Sequence, residues 1–181
     1  KPGDYCIDVC AAPGGKSLHL AELMKGSGMV EARDLTDYKV GLIEENIRRS
    51  GAGNIRAVRM DATVPDERSI ERADVVLADL PCSGLGVLGR KRDLKYRMSR
   101  EQQEELTALQ RRILGTVWQY VKPGGTLLYS TCTVHREENE GNVRWFLARY
   151  PFFLKEQMQM LPGVDSCDGF YVAKMERKIH D

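Results

Sequence analysis

The alternation of short apolar runs with helix-like stretches constrains this chain more than any other feature. "YCIDVCA", "MVEARD", "NIRAVRM", "ADVVLADL" and "TLLYSTCT" follow one another in that order, bounded by turn residues. Their lengths and β-branched content read as strands. "ADVVLADL" is apolar enough for a central position, because a strand covered on both faces loses the polar alternation. Strands joined through helices cannot close as tight hairpins and pair in parallel. The reading is therefore an α/β fold with a doubly wound, mainly parallel sheet, and the ligand site belongs at the carboxyl ends of its strands.

The helices fit this scheme. One runs from about Gly15 to Met24, with Leu18, Leu20, Ala21, Leu23 and Met24 for its buried side. A second spans Tyr38 to about Arg49 and stops at "SGAG". Ser99 and Gln102 have capping-box spacing and open a third. In it Leu106, Leu109, Ile113, Leu114, Val117, Trp118 and Val121 follow a 3.6-residue period, and "KPGG" is expected to break it. A further helix lies near Glu137–Arg149. "PFFLKEQ" and "GFYVAKM" read as an antiparallel pair closing the sheet edge.

The 181 residues suffice for one domain with a substantial core, so residues 1–181 are read as a single unit. The abrupt start at "KPGDYCIDV", just before the first strand, suggests a piece of a longer protein. No apolar run is long enough for a membrane helix. The net charge of +1 does not by itself announce a nucleic-acid binder, so local charge has to carry that argument. The five cysteines are odd in number and lack zinc-type spacing, which points to reduced thiols in a cytoplasmic protein.

Chemistry gathers where strands end. In "DVCAAPGGKS" the glycines allow a ligand to approach the backbone, and the following helix end favours negative charge. The spacing is neither GxGxxG nor that of a P-loop, so a dinucleotide or a triphosphate is not the first choice. Asp34 ends the second strand, 19 residues after Gly15, where a carboxylate accepts from ribose hydroxyls. Asp61 ends the third strand and is placed to accept from an exocyclic amino group. Each aspartate alone also reads as a cap or turn former; together they favour a nucleoside-bearing cofactor. Lys39 reads equally as a further polar contact and as a solvated helix lysine.

"LADLPCSGLG" ends the fourth strand with Asp79 and Cys82, and "YSTCTV" ends the fifth with Cys132. The two thiols are 50 residues apart in sequence, on strands expected to be neighbours, so they can share one cleft. Cys6, Cys10 and Cys167 are read as buried and inert. The basic run "GRKRDLKYRMSR" (Gly89–Arg100) follows the thiol loop with six cations against Asp93, and it reads either as a phosphate-binding segment or as a solvated loop.

"DVCAAPGGKS", "ADLPCSGLGVLGRKRDLKY", "KPGGTLLYSTCTVHREENE" and "DGFYVAKM" together resemble the RNA cytosine-5 methyltransferases of the Sun/RsmB type, over nearly the whole chain. The resemblance implies S-adenosylmethionine as cofactor and RNA as partner, with a small-subunit ribosomal RNA as the family-level substrate. It makes Cys132, of the Thr-Cys pair, the nucleophile, and Cys82, of the Pro-Cys pair, the group that assists product release. Ala11, Ala12, Pro13, Gly14, Gly15, Lys16, Asp34, Lys39 and Asp61 are implied to hold the cofactor, with Asp79 between methyl donor and base. Asp79 is open to two roles, donating to ring nitrogen 3 when protonated or accepting from the exocyclic amine when ionised. The family's RNA-binding amino-terminal region lies outside this chain. Where the family often carries Pro-Asp and Trp after the basic stretch, this chain has Arg92-Asp93 and Tyr96. Two other readings are amino-group methylation of a base, for which relatives of this fold typically carry an aromatic residue at the place of Cys82, and a catalytically silent RNA-binding module. Neither needs the second thiol.

Overall fold

Each apolar run becomes a strand and each periodic stretch a helix packed against the strands. The computed structural model describes residues 1–89 and 98–179. Among these, seven strands form one sheet: β1 (Tyr5–Asp8), β2 (Met29–Asp34), β3 (Ile55–Arg59), β4 (Ala73–Asp79), β5 (Val121–Thr131), β6 (Phe152–Met160) and β7 (Phe170–Arg177). Their order is β3-β2-β1-β4-β5-β7-β6. The first five pair in parallel, and β7 runs antiparallel to both β5 and β6. The winding reverses between β1 and β4, and a crevice opens beyond the carboxyl ends of strands at such a reversal.

Among the described residues, four α-helices, α1 (Gly15–Leu23), α2 (Asp37–Ser50), α3 (Arg100–Val117) and α4 (Asn142–Leu147), accompany the sheet. Ala21, Met24 and Ile43 pack with Cys6, Val30, Ala32 and Ile55 in one core. Ile113, Leu114, Val117 and Phe146 pack with Ile7, Val76, Leu127, Tyr129 and Met175 in the other. Cys6 and Ile7 are neighbours on β1 yet belong to opposite cores, because successive strand side chains point to opposite faces.

Local capping sets the helix limits. Thr36 accepts from the Lys39 amide and starts α2, and Gly51 ends it at φ +71°. Ser99 and Gln102 form the predicted reciprocal capping box of α3. The far end of α3 departs from the periodicity. The helix stops at Val117, Trp118–Tyr120 make a single 3₁₀ turn, and Val121 opens β5. Val121 pairs with Ala73, after which the register shifts so that Val75 meets Thr126. "KPGG" is therefore an irregularity inside β5 rather than the end of a helix. Val121 kept its apolar character because it is buried in the sheet, a demand that helical spacing cannot distinguish. The stretch near Glu137–Arg149 also divides, into a π-helical turn (Glu137–Gly141) and α4. Cys167 is exposed rather than buried, because it sits in the polar connection between β6 and β7.

Candidate active site

Three strand ends converge beside the reversal point. β1 ends at Asp8, β4 at Asp79 and β5 at Thr131. Cys82 lies beyond β4 and Cys132 directly beyond β5. The strands are in register up to Asp79 opposite Ser130, and the Leu80 amide continues the ladder to the Ser130 carbonyl at 3.1 Å. This pairing carries the two thiols to one place: their Sγ atoms are 3.3 Å apart. The Cys132 amide also points at the Cys82 sulfur, at 3.3 Å.

The loop after Cys82 is closed by backbone contacts. The Gly86 amide donates to the Cys132 carbonyl at 3.1 Å, and the Gly169 amide to the Gly86 carbonyl at 2.8 Å. A Cβ on Gly86 would collide with both carbonyl groups around it, so only glycine permits this approach.

The sulfur contact splits the titration of the pair. A thiolate on Cys132 is stabilised by the hydrogen bond from Cys82, which lowers the Cys132 pKa below the ordinary thiol range despite burial. The Cys82 thiol moves the opposite way, because the same hydrogen bond and its burial both favour its protonated form. This contact between the two thiols is one that sequence spacing did not reveal. Cys10 and Cys6 are pushed up by burial to about 12 and about 11, as inert thiols should be.

Asp79 is held from both sides. Lys16 Nζ lies 2.7 Å from one carboxylate oxygen, and Ser130 Oγ donates to the other at 2.7 Å. Lys16 also stands over the Phe170 ring, 5.6 Å from its centroid. The loop Ala11–Lys16 is therefore fastened to the thiol side of the crevice at its last residue.

At its other end the loop is fastened to β2. The Ala11 amide donates to the Arg33 carbonyl at 2.8 Å, and the Ala12 amide to Asp34 Oδ2 at 3.0 Å. Asp34 is buried and also receives the Leu35 amide at 2.8 Å and Lys39 Nζ at 3.0 Å. Gly14 caps α1 at φ +106° with no side-chain cap, so no N-cap side chain satisfies the first amides of the helix. Asp61, just past β3, is exposed and accepts from the Thr63 amide and hydroxyl through Oδ1. Ala11–Lys16, Asp34 and Lys39 form one connected group, and Asp61 stands at its rim, where the Met60 amide bonds to the Asp34 carbonyl at 2.9 Å.

Beneath the site lie groups that the sequence reading did not single out. Asp8 is buried and accepts from Ser17 Oγ at 2.6 Å; burial raises its carboxyl pKa to about 7. Ser83, Thr133, Gln110 and Glu138 form a buried polar group behind the thiols. Their only sequence signal was position, since two of them directly follow the cysteines. Residues 90–97 of the basic run, including Arg92-Asp93 and Tyr96, lie outside the described residues; its last member, Arg100, opens α3 and pairs with Glu104 at 3.0 Å.

A family model described as "16S rRNA methyltransferase RsmB/F" matches residues 1–176. The chain belongs to the RsmB/F family. Among its relatives, the Bacillus subtilis (strain 168) protein named "Probable ribosomal RNA small subunit methyltransferase B" is 39% identical over 197 residues, covering 98% of this chain and 44% of that protein. The crystal structure of PH0851 superposes with a TM-score of 0.94 at 37% identity, covering 98% of this chain and 43% of that one. The crystal structure of NSun6 from Pyrococcus horikoshii with SFG gives 0.87 at 33% identity, covering 98% and 48%. This RsmB/F chain thus spans less than half the length of each of these three relatives. Its resemblance to the Sun/RsmB type holds at the level of family, and its doubly wound fold at the level of coordinates. Among the described residues, no helix is long and apolar enough to cross a membrane.

Proposed function

We propose that this chain is the catalytic part of an enzyme that methylates carbon 5 of a cytosine in RNA, namely small-subunit ribosomal RNA. Cys132 is the attacking thiol and Cys82 assists release. The observation that carries this reading is the 3.3 Å contact between the two sulfurs, with one of them biased toward thiolate. Family membership and relatives named as ribosomal RNA small subunit methyltransferases support it.

The residues of the crevice fit S-adenosylmethionine. The uncapped amides of α1 suit a carboxylate, Asp34 suits ribose hydroxyls and Asp61 an exocyclic amine. When bound, S-adenosylmethionine supplies an electrophilic methyl group.

Cytosine carbon 5 is a poor nucleophile while the ring is aromatic. The Cys132 thiolate adds to carbon 6, forming a C–S bond and moving the ring electrons to make carbon 5 nucleophilic. Asp79, which Lys16 and Ser130 hold, accepts from the exocyclic amine as a carboxylate and orients the base in this reading. Once carbon 5 carries the methyl group, its proton must leave so that the C–S bond can break and return the electron pair to Cys132.

Cys82 changes character along this path. In the free enzyme its proton is held chiefly by the Cys132 sulfur. In the adduct that sulfur is a neutral thioether and a much weaker acceptor. The main cause holding the Cys82 proton is then removed, that proton passes to solvent, and the Cys82 thiolate so formed takes the proton from carbon 5. Acid–base assistance of this kind contributes roughly 10²–10⁴-fold in rate. Attack on the ring face requires an unstacked base, so a single-stranded or flipped cytosine is the substrate form.

The test is to incubate the full-length protein with ribosomal RNA and cofactor and map the methylated atom. The expected product is 5-methylcytosine, and Cys132→Ala is expected to abolish it. Methylation of an amino group, or turnover that survives Cys132→Ala, would refute the proposal.

A further inference from the structure

Each thiol is followed in sequence by a hydroxyl residue, and those hydroxyls meet. Ser83 Oγ and Thr133 Oγ1 are 2.8 Å apart, behind the half-buried sulfurs and themselves buried. Both oxygens of the Glu138 carboxylate hold the Ser83 side of this contact. Ser83 Oγ donates to Oε1 at 2.5 Å and the Ser83 amide to Oε2 at 2.9 Å. A carboxylate only accepts, so the Ser83 hydroxyl donates its hydrogen bond to Glu138 and accepts from Thr133. Thr133 in turn accepts from the His135 amide at 3.1 Å. The hydrogen bonds therefore have one direction, from Thr133 through Ser83 to Glu138.

The carboxylate at the end of this chain is fully buried, with the His135 Nδ1 atom 3.4 Å away. Burying a carboxylate is costly unless several donors meet it. Here the remaining donor is Gln110 Nε2, at 2.9 Å, which also donates to the Pro81 carbonyl at 2.8 Å. Glu138 and Gln110 thus hold the backbone on either side of Cys82. Nothing in the proposed chemistry uses Glu138, and the "EENE" segment that supplies it was left without a role by the sequence.

We propose that Ser83, Thr133 and Glu138 are positioning residues that clasp the loop after β4 to the end of β5 and so set the separation of the two sulfurs. The inference rests on the reading of Cys82 and Cys132 as the reacting pair. The clasp acts one residue away from each sulfur, so a small change in its length changes the sulfur contact directly. If it opens, Cys132 loses the hydrogen bond that favours its thiolate and titrates as an ordinary thiol.

The test measures iodoacetamide alkylation of Cys132 against pH in the purified full chain, read by peptide mass spectrometry, with melting temperatures alongside. In the wild type the rate should have its midpoint below the ordinary thiol value of about 8.5. Cys82→Ala should move it up toward the ordinary thiol value of about 8.5. Thr133→Val, which keeps shape and removes the hydroxyl, should move it in the same direction, and Thr133→Ser should restore it. Glu138→Gln gives a second route to the same shift should Thr133→Val fail to fold. A midpoint that moves in Cys82→Ala but stays put in folded Thr133→Val or Glu138→Gln would overturn the clasp alone. A midpoint unmoved in Cys82→Ala would overturn the reading of the thiol pair, and the clasp with it.

Discussion

Asp34 and Asp79 end strands of one sheet, yet their surroundings separate their duties. Asp79 faces the Lys16 ammonium and the Ser130 hydroxyl on the thiol side. Asp34 lies on the loop side, buried, with the Ala12 and Leu35 amides and Lys39 on its carboxylate. It therefore shapes the loop, and in the proposed function it also offers an acceptor to a ribose. Hydrogen bonds to a charged group are worth roughly 1.5–3 kcal/mol each. Asp34→Ala is accordingly expected to weaken S-adenosylmethionine binding by about 10–100-fold, measured by calorimetry, with a smaller loss of melting temperature. Unchanged affinity would remove Asp34 from the cofactor site. Lys39, readable from sequence as either a site lysine or a solvated one, proves to be in direct contact with Asp34 at 3.0 Å.

The junction of β1 and α1 carries a second consequence, in the carboxyl of Asp8. Ser17, in the first turn of α1, donates to it at 2.6 Å, and the Cys10 amide at 3.4 Å. Burial outweighs both donors and raises the folded-state pKa to about 7, above the unfolded value of roughly 3.9. Folding therefore favours the protonated form. The stability Asp8 contributes is complete below about pH 4 and is lost as the pH rises through 7. The melting temperature of the wild type should accordingly fall relative to Asp8→Asn between those limits, which thermal unfolding at several pH values will show. A difference between the two proteins that does not vary with pH would contradict this. At the same scale, α3 depends on Leu114, fully buried between sheet and helix. Leu114→Ala is expected to cost about 2–5 kcal/mol in chemical denaturation, and a loss well below 1 kcal/mol would show the core there to be loosely packed.

At the scale of the molecule, the sheet brings residues distant in sequence to one crevice, and that arrangement decided what could be read in advance. Parallel strands joined through helices have few topologies, so alternation was enough to anticipate a doubly wound, mainly parallel sheet, the fourth and fifth strands as neighbours and the antiparallel edge pair. It was also enough to place Asp34, Asp79, Cys82 and Cys132 at strand ends. The boundary at Val121 escaped because a buried strand residue and a buried helix residue obey the same apolar demand. The Lys16–Asp79 contact, the bias of Cys132 toward thiolate and the clasp of Ser83, Thr133 and Glu138 escaped for another reason. Each depends on distances between side chains that no spacing within one element reports. Polar residues such as Glu138 and Gln110 look like surface positions until the fold buries them. The central claim is that two thiols 50 residues apart act in sequence on one base, Cys132 to add and Cys82 to release. The most direct measurement incubates the Cys82→Ala full-length protein with RNA and S-adenosylmethionine and looks for a species of increased mass on a denaturing gel. A covalent protein–RNA adduct that accumulates, and that disappears when Cys132 is also replaced, is the predicted result; normal turnover with no adduct would contradict the account.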